Sequence, residues 1–279
     1  MSDIQEKMSY ITLLSTLNYL PGVIVLHDSV KRTGTRYPFL VAVSSSIPIN
    51  VDNELKLRGM HVVRLPKAIE RSSDLKNVSG HWGNTFDKIL LFGLSEFSKL
   101  VYLDSDMMVL KNLDELFKKP HLSAVAAGYL ENSDWTRLNS GLMVIQPEDH
   151  LSEKIMGSFG RAMKEVNALG NNKIGDQDVI NAYYSEWPLQ KNLHLDESYN
   201  LFFSDIDVYI KKHGYKMPII GENNLKDIRV IYFIGHRKPW MKWSNFRNFL
   251  KYFGKNNSYK WERKVFLIYI SNLKKLKLH

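Results

Sequence analysis

The run "VYLDSDMMVL" at 101–110 sets two aspartates, Asp104 and Asp106, two residues apart in an otherwise apolar stretch. Buried carboxylates are costly unless a positive charge meets them. A spacing of two puts both side chains on one side of an extended segment. There they repel each other unless a divalent cation lies between them. A cation held by so few protein oxygens keeps open positions for phosphate oxygens. The chemistry this suits is that of a nucleotide-diphosphate substrate, with the metal neutralising the charge that builds on the diphosphate as it departs. Asp-x-Asp also arises by chance, one carboxylate simply opening the next turn. Phosphatases of the haloacid-dehalogenase type use Asp-x-Asp too, but they resemble "DxDGT" on the first strand. Here Met107 and Met108 follow and three strands come earlier.

The elements around the pair predict how it is positioned. "SYITLL" (9–14), "YPFLVAVS" (37–44), "MHVVRL" (60–65) and "KLVYLD" (99–104) read as buried strands. Between them, 19–34, 53–59 and 85–97 read as helices, the first with Pro21 near its start and Gly34 where a helix ends. Such alternation predicts a parallel, helix-covered sheet of α/β class. Ligands of open α/β sheets bind outside the carboxyl ends of the strands, where Asp104 and Asp106 stand. Further on, strands are predicted at 124–129 and 140–147, helices near 150–168 and 175–186, and a strand at 228–235 that closes the fold.

Composition narrows the class. The 279 residues are 44% hydrophobic and 24% charged, as in a soluble enzyme, and contain no cysteine. Disulfide frameworks, thiolate metal sites and cysteine nucleophiles are thereby excluded. No apolar run of membrane-spanning length occurs, and "MSDIQEKMSYITLL" lacks the form of a secretory signal, so the expected compartment is the cytoplasm. Residues 242–279 hold ten Lys or Arg against one acid, Glu262, which equals the net charge of +9 of the whole chain. The basicity belongs to the tail.

Five blocks in order then resemble glycosyltransferase family 8, the group of glycogenin, galactinol synthase and bacterial lipooligosaccharide galactosyltransferases. They are "YITLLSTLNYLPGVIVLHDSVKRTGTRYP", "TFDKILLFGLSEFSKLVYLDSDMMVLKNLDELF", "LNSGLMVIQP", "GDQDVINAYY" and "VIYFIGHRKPW", spanning about residues 9–241. The resemblance implies a GT-A fold with a Rossmann-like, mostly parallel central sheet flanked by helices. It also implies a UDP-sugar donor, Mn²⁺ or Mg²⁺, and transfer that retains the donor's α configuration. By position, Leu13, Ser15 and Tyr19 match the uridine side, with Tyr19 packing on the base. Lys88 matches a basic residue near the phosphates, Asp104, Ser105 and Asp106 the metal-binding strand end, and Asn139, Ser140 and Gly141 the acceptor-side turn. Asp176 and Gln177 match the pair facing the sugar's reactive carbon, and Gly235 and Lys238 the loop that grips the diphosphate. Each type has a plainer alternative: a solvated lysine at 88, core packing at Tyr19, an ordinary Asn-Ser-Gly turn, or a helix cap at Asp176.

Two positions depart from the family pattern. Tyr232 stands where the family carries its third metal ligand, a histidine, and imidazole suits Mn²⁺ better than a neutral phenol. Three outcomes stay open: metal held by Asp104 and Asp106 alone, His236 recruited from four residues on, or weakened binding. The expectation is that a divalent metal is still used. Lys173 stands where glycogenin-type sequences carry an acid, which argues against glycogenin-like acceptor chemistry. The reading is a catalytic domain at 1–243 and a basic, aromatic appendage at 244–279. That appendage suits either the surface of an anionic membrane or a helix docked on the protein itself. The function expected is hexose transfer, glucose ahead of galactose and N-acetylglucosamine, to a glycan, protein or lipid-linked acceptor. The alternative is an inactive UDP-sugar-binding protein. A homodimer is compatible with this; nucleic acid is not an expected partner.

Overall fold

The computed structural model describes residues 7–66, 83–170, 173–219, 221–236, 238–241 and 260–278. Its strands are β1 (Met8–Leu14), β2 (Phe39–Val43), β3 (His61–Arg64), β4 (Lys99–Leu103), β5 (Met107–Val109), β6 (Ala124–Val125), β7 (Asn139–Ile145), β8 (Leu201–Phe202) and β9 (Val230–Tyr232). Among the described residues its α-helices are α1 (Leu20–Arg32), α2 (Asn50–Leu57), α3 (Leu151–Met156), α4 (Phe159–Ala168), α5 (Asp176–Tyr183), α6 (Ile206–His213) and α7 (Lys260–Lys275).

Six strands form the main sheet in the order β3-β2-β1-β4-β7-β6. The first four are parallel, as their continuous apolar runs predict for strands covered on both faces. Alternate residues divide between two cores: Ile11, Leu40, Ala42, Leu100 and Tyr102 face one, Tyr10, Val41, Val43, Val101 and Leu103 the other. β1 lies between β2 and β4, so the strand order reverses there. The crevice this leaves at the carboxyl ends of β1 and β4 is where Ser15–Tyr19 and Asp104–Asp106 emerge.

β7 runs antiparallel to β4, pairing Leu103 with Leu142, so the sheet is mostly parallel, as expected. The structure corrects other expectations. The strand expected at 228–235 is shorter, Val230–Tyr232, and this β9 joins a second, three-stranded sheet in the order β5-β9-β8, with Met107 opposite Tyr232 and Phe202 beside it. The helix expected at 85–97 is a run of 3-10 turns at Gly83–Gly93. The helix expected near 150–168 is two, broken at Gly157 and Ser158, where glycine weakens helix propagation. The strand expected at 124–129 ends after Val125, because the chain turns through Gly128 at φ +87°.

Helix α1 abuts the strand ends through Gly22. A Cβ there would stand 2.5 Å from the Ser105 carbonyl oxygen and 2.7 Å from the Trp240 ring, so only glycine lets α1 approach the turn after β4. Of the basic appendage, α7 is docked: Val265, Tyr269 and Leu273 are buried in a core shared with Val25, Ile206 and Phe233, and Phe266 is buried too. Residues 244–259 lie outside the described residues.

Candidate active site

Four elements converge on Lys88. This residue, carried by the 3-10 segment, is 7% exposed. Its Nζ lies 3.0 Å from Asp104 Oδ1, after β4, and 2.8 Å from Asp176 Oδ2, in the first turn of α5. Nζ also reaches Ser140 Oγ at 3.2 Å, and that hydroxyl donates to Asp176 Oδ2 at 2.9 Å. The Ser140 amide donates to Gln177 Oε1 at 3.0 Å. Burial alone would lower the Lys88 pKa, but Asp104 and Asp176 outweigh it and hold the ammonium above its ordinary value. Lys88 is therefore a fixed cation, not a solvated helix lysine.

Asp104 is gripped from two further sides. Tyr102 and Tyr232 both donate their hydroxyls to it, Tyr232 at 2.7 Å to Oδ2. Burial, and then the Asp104 charge, push both phenols well above the usual tyrosine range, so they stay neutral donors. Asp106 meets the Lys238 ammonium, which also donates to the Phe233 carbonyl at 2.8 Å. Burial first, then repulsion by Asp104, push the Asp106 carboxyl up to about 6 against the pull of Lys238. Lys238 Nζ sits 5.8 Å from the centre of the Tyr19 ring. Tyr19 packs edge-on against Trp240 at 5.6 Å, and the Trp240 indole donates to the Asn18 carbonyl at 2.8 Å. Burial, with Asp106 and Asp104, raises the Tyr19 phenol to about 12.

The sequence-predicted residues thus form two linked groups. Lys88, Asp104, Ser140, Asp176 and Gln177 make one; Asp106, Lys238 and Tyr19 make the other. Ser105 is buried between them with its carbonyl facing Gly22. Asn139 borders the first group, its Oδ1 accepting from the Gly141 amide at 3.0 Å and Asn200 Nδ2 at 2.8 Å. Leu13 is in the main core, Ser15 is half-buried just after β1, and Gly235 turns the loop before Lys238 at φ +85°. His236 is not brought in: it is exposed, and no group of three or more His, Asp or Glu side chains able to hold a metal occurs among the described residues. Its neighbour Gly235 aims the chain so that Lys238, not His236, turns back. Sequence reasoning missed Tyr102, whose spacing of two from Asp104 places it on the same strand face. It also missed Asn200 and the close approach at Gly22, for which no local signal exists.

Asp104 and Asp106 present hard carboxylate oxygens two residues apart, and three carboxylates face two lysines, an excess of one negative charge before any diphosphate arrives. Small hard cations are commonly held by one or two carboxylates plus substrate phosphates. The pair fits such a cation. Tyr232 leaves the set without nitrogen.

The model of the family described as glycosyl transferase family 8 matches residues 10–244. The chain belongs to that family. Among curated relatives it is 27% identical over 254 residues to inositol phosphorylceramide glucuronosyltransferase 1 of Arabidopsis thaliana, covering 86% of this chain and 43% of that protein. It is 27% identical over 238 residues to glycogenin-1 of Mus musculus, covering 83% of this chain and 65% of that one. The chain therefore spans less than two thirds of the length of these relatives. A solved structure of the galactosyltransferase LgtC with donor and acceptor sugar analogues superposes with a TM-score of 0.57 at 16% identity, covering 91% of this chain and 100% of that one. The fold is GT-A, as the family resemblance implied.

Proposed function

We propose that this chain transfers a hexose, glucose first among the candidates, from a UDP-sugar to an acceptor hydroxyl with retention of configuration. The observation that carries the reading is the buried contact of Lys88 with both Asp104 and Asp176 in a chain of this family. In the reaction, the bond from the anomeric carbon to the β-phosphate oxygen breaks and its electron pair goes to that oxygen. The acceptor oxygen bonds to the same carbon, and its proton passes to the departing phosphate. Among the described residues Lys238 uses two of its three N–H groups on Asp106 and Phe233, and the third is the one assigned to a phosphate oxygen. Tyr19 supplies a ring for the base. Asp176, positioned by Lys88 and Ser140, and Gln177, held by the Ser140 amide, stabilise the cationic sugar carbon. Asp104 and Asp106 would hold a divalent cation, which when bound supplies Lewis-acid stabilisation of the leaving diphosphate.

Acceptors compatible with this chemistry are hydroxyls of glycans, proteins or lipid-linked sugars. A second reading, a UDP-sugar-binding protein without transfer, is favoured by Tyr232 at the family's histidine position. UDP release from UDP-glucose, UDP-galactose, UDP-N-acetylglucosamine and UDP-glucuronate, with Mn²⁺, Mg²⁺ or EDTA, tests both. Cation-dependent release from UDP-glucose is expected. Tight UDP binding with no release from any donor would favour the second reading. Unchanged release after Asp104→Asn with Asp106→Asn would remove the metal assignment.

A further inference from the structure

The loop between β6 and β7 shows solvent three large side chains, Tyr129, Leu130 and Trp135, exposed by 43%, 39% and 51%. The loop is pinned. Glu197, buried, accepts from the Gly128 amide at 2.9 Å and the Leu130 amide at 2.7 Å, and also holds the Tyr209 hydroxyl. Within it, the Asn132 amide donates to the Gly128 carbonyl and the Trp135 amide to the Asn132 carbonyl. Trp135 lies on the backbone of Gly128, where a Cβ would stand 2.4 Å from its ring. With φ at +87°, position 128 is suited to glycine twice over, for its conformation and for the indole that covers it. Beside that contact Trp135 remains half exposed.

The indole stands at the outer end of an aromatic wall that begins at the reaction centre. Tyr232 donates to Asp104, and the Phe202 ring lies 6.0 Å from the Tyr232 ring. Phe202 in turn comes within 3.7 Å of the point beside Gly128 that Trp135 covers. Two residues after Trp135, Arg137 pairs at 3.5 Å with Asp178, on the same helix as Asp176. Behind the loop opens a cavity of about 340 Å³ whose lining mixes Tyr129, Leu130 and Thr136 with Lys191, His194 and Lys226.

We propose that Trp135 is the platform on which a saccharide acceptor stacks the apolar face of a pyranose ring, with its further hydroxyls reaching the adjacent cavity. This rests on the transferase reading above. A rigid aromatic face rimmed by polar groups marks a ligand groove. The cavity sets Lys191, Lys226, Asp196 and Glu197 among the apolar Leu130 and Leu195, so an acyl chain would have to lie along charged groups. A pyranose, apolar on one face and hydroxylated round its edge, matches both parts.

The test uses the full chain with UDP and, as probes, the methyl glycosides of glucose, galactose and xylose together with maltose and lactose. Saturation-transfer NMR is expected to show ring C–H contact for at least one, lost in Trp135→Ala and kept in Trp135→Phe. In transfer assays, Trp135→Ala should raise the acceptor KM by about tenfold, the scale of one lost aromatic contact. Donor KM and donor hydrolysis should stay within about twofold on the same scale, and the phenylalanine variant should recover most of the loss. An unchanged acceptor KM, or transfer to protein or lipid with no saccharide contact, would overturn the platform. Saccharide contact without UDP release from any donor would keep the platform and overturn the transferase reading instead.

Discussion

Replacing Lys88 by methionine removes the one cation among the described residues that Asp104 and Asp176 share. Their oxygens lie 3.0 and 2.8 Å from its Nζ, and Lys88 is buried. Breaking a buried ion pair by deleting one partner costs roughly 3–5 kcal/mol. Here the hydroxyls of Tyr102, Tyr232 and Ser140 still donate to the two carboxylates, which puts the expected loss near the lower end, about 3 kcal/mol. The sign with pH follows from which groups titrate. In the native chain the Lys88 pKa is raised above 10.5, so its contribution is fully present at pH 5 and at pH 8. The deficit on losing it should therefore be about 3 kcal/mol at both values. Urea denaturation followed by tryptophan fluorescence at the two pH values measures it. A deficit below about 1 kcal/mol at either value would refute the claim that a buried, doubly paired Lys88 holds these elements together.

Gly22→Ala forces a methyl group to 2.5 Å from the Ser105 carbonyl; it should cost about 1–3 kcal/mol by thermal melting and weaken UDP binding by calorimetry as the turn after β4 shifts. Asp106, with its pKa raised to about 6, is about one-tenth ionised at pH 5, so Mg²⁺-supported UDP affinity should fall about tenfold between pH 7 and pH 5. A flat profile would show that Asp106 holds no cation. Tyr232→His returns an imidazole to the oxygen-only set; Mn²⁺ binding followed by electron paramagnetic resonance should strengthen about tenfold, and no gain would mean the side chain at 232 lies outside cation reach.

What the sequence by itself determined is local. The apolar runs of β1, β2 and β4 announce a buried parallel sheet because strands covered on both faces need no polar alternation. Asp104 and Asp106 follow directly on the last of them, and Asp176 and Gln177 open a helix marked by "GDQD", so their places at element ends could be read from the chain. Tertiary structure decided which of these ends meet. Lys88 lies far from Asp176 in sequence, and only the packing of the 3-10 segment against α5 joins them across Ser140. The reversed direction of β7 brings Ser140 to the strand ends; a parallel β7 would have carried it to the opposite edge. Tyr232 reaches Asp104 because β9 pairs with β5 in a second sheet, with Met107 as its partner in register. Residue pattern reports the period and burial of an element, whereas pairing partners, strand direction and the approach of α1 at Gly22 depend on how distant surfaces fit together. The chemistry is legible one residue at a time, but the charge balance of the site exists only in the folded chain.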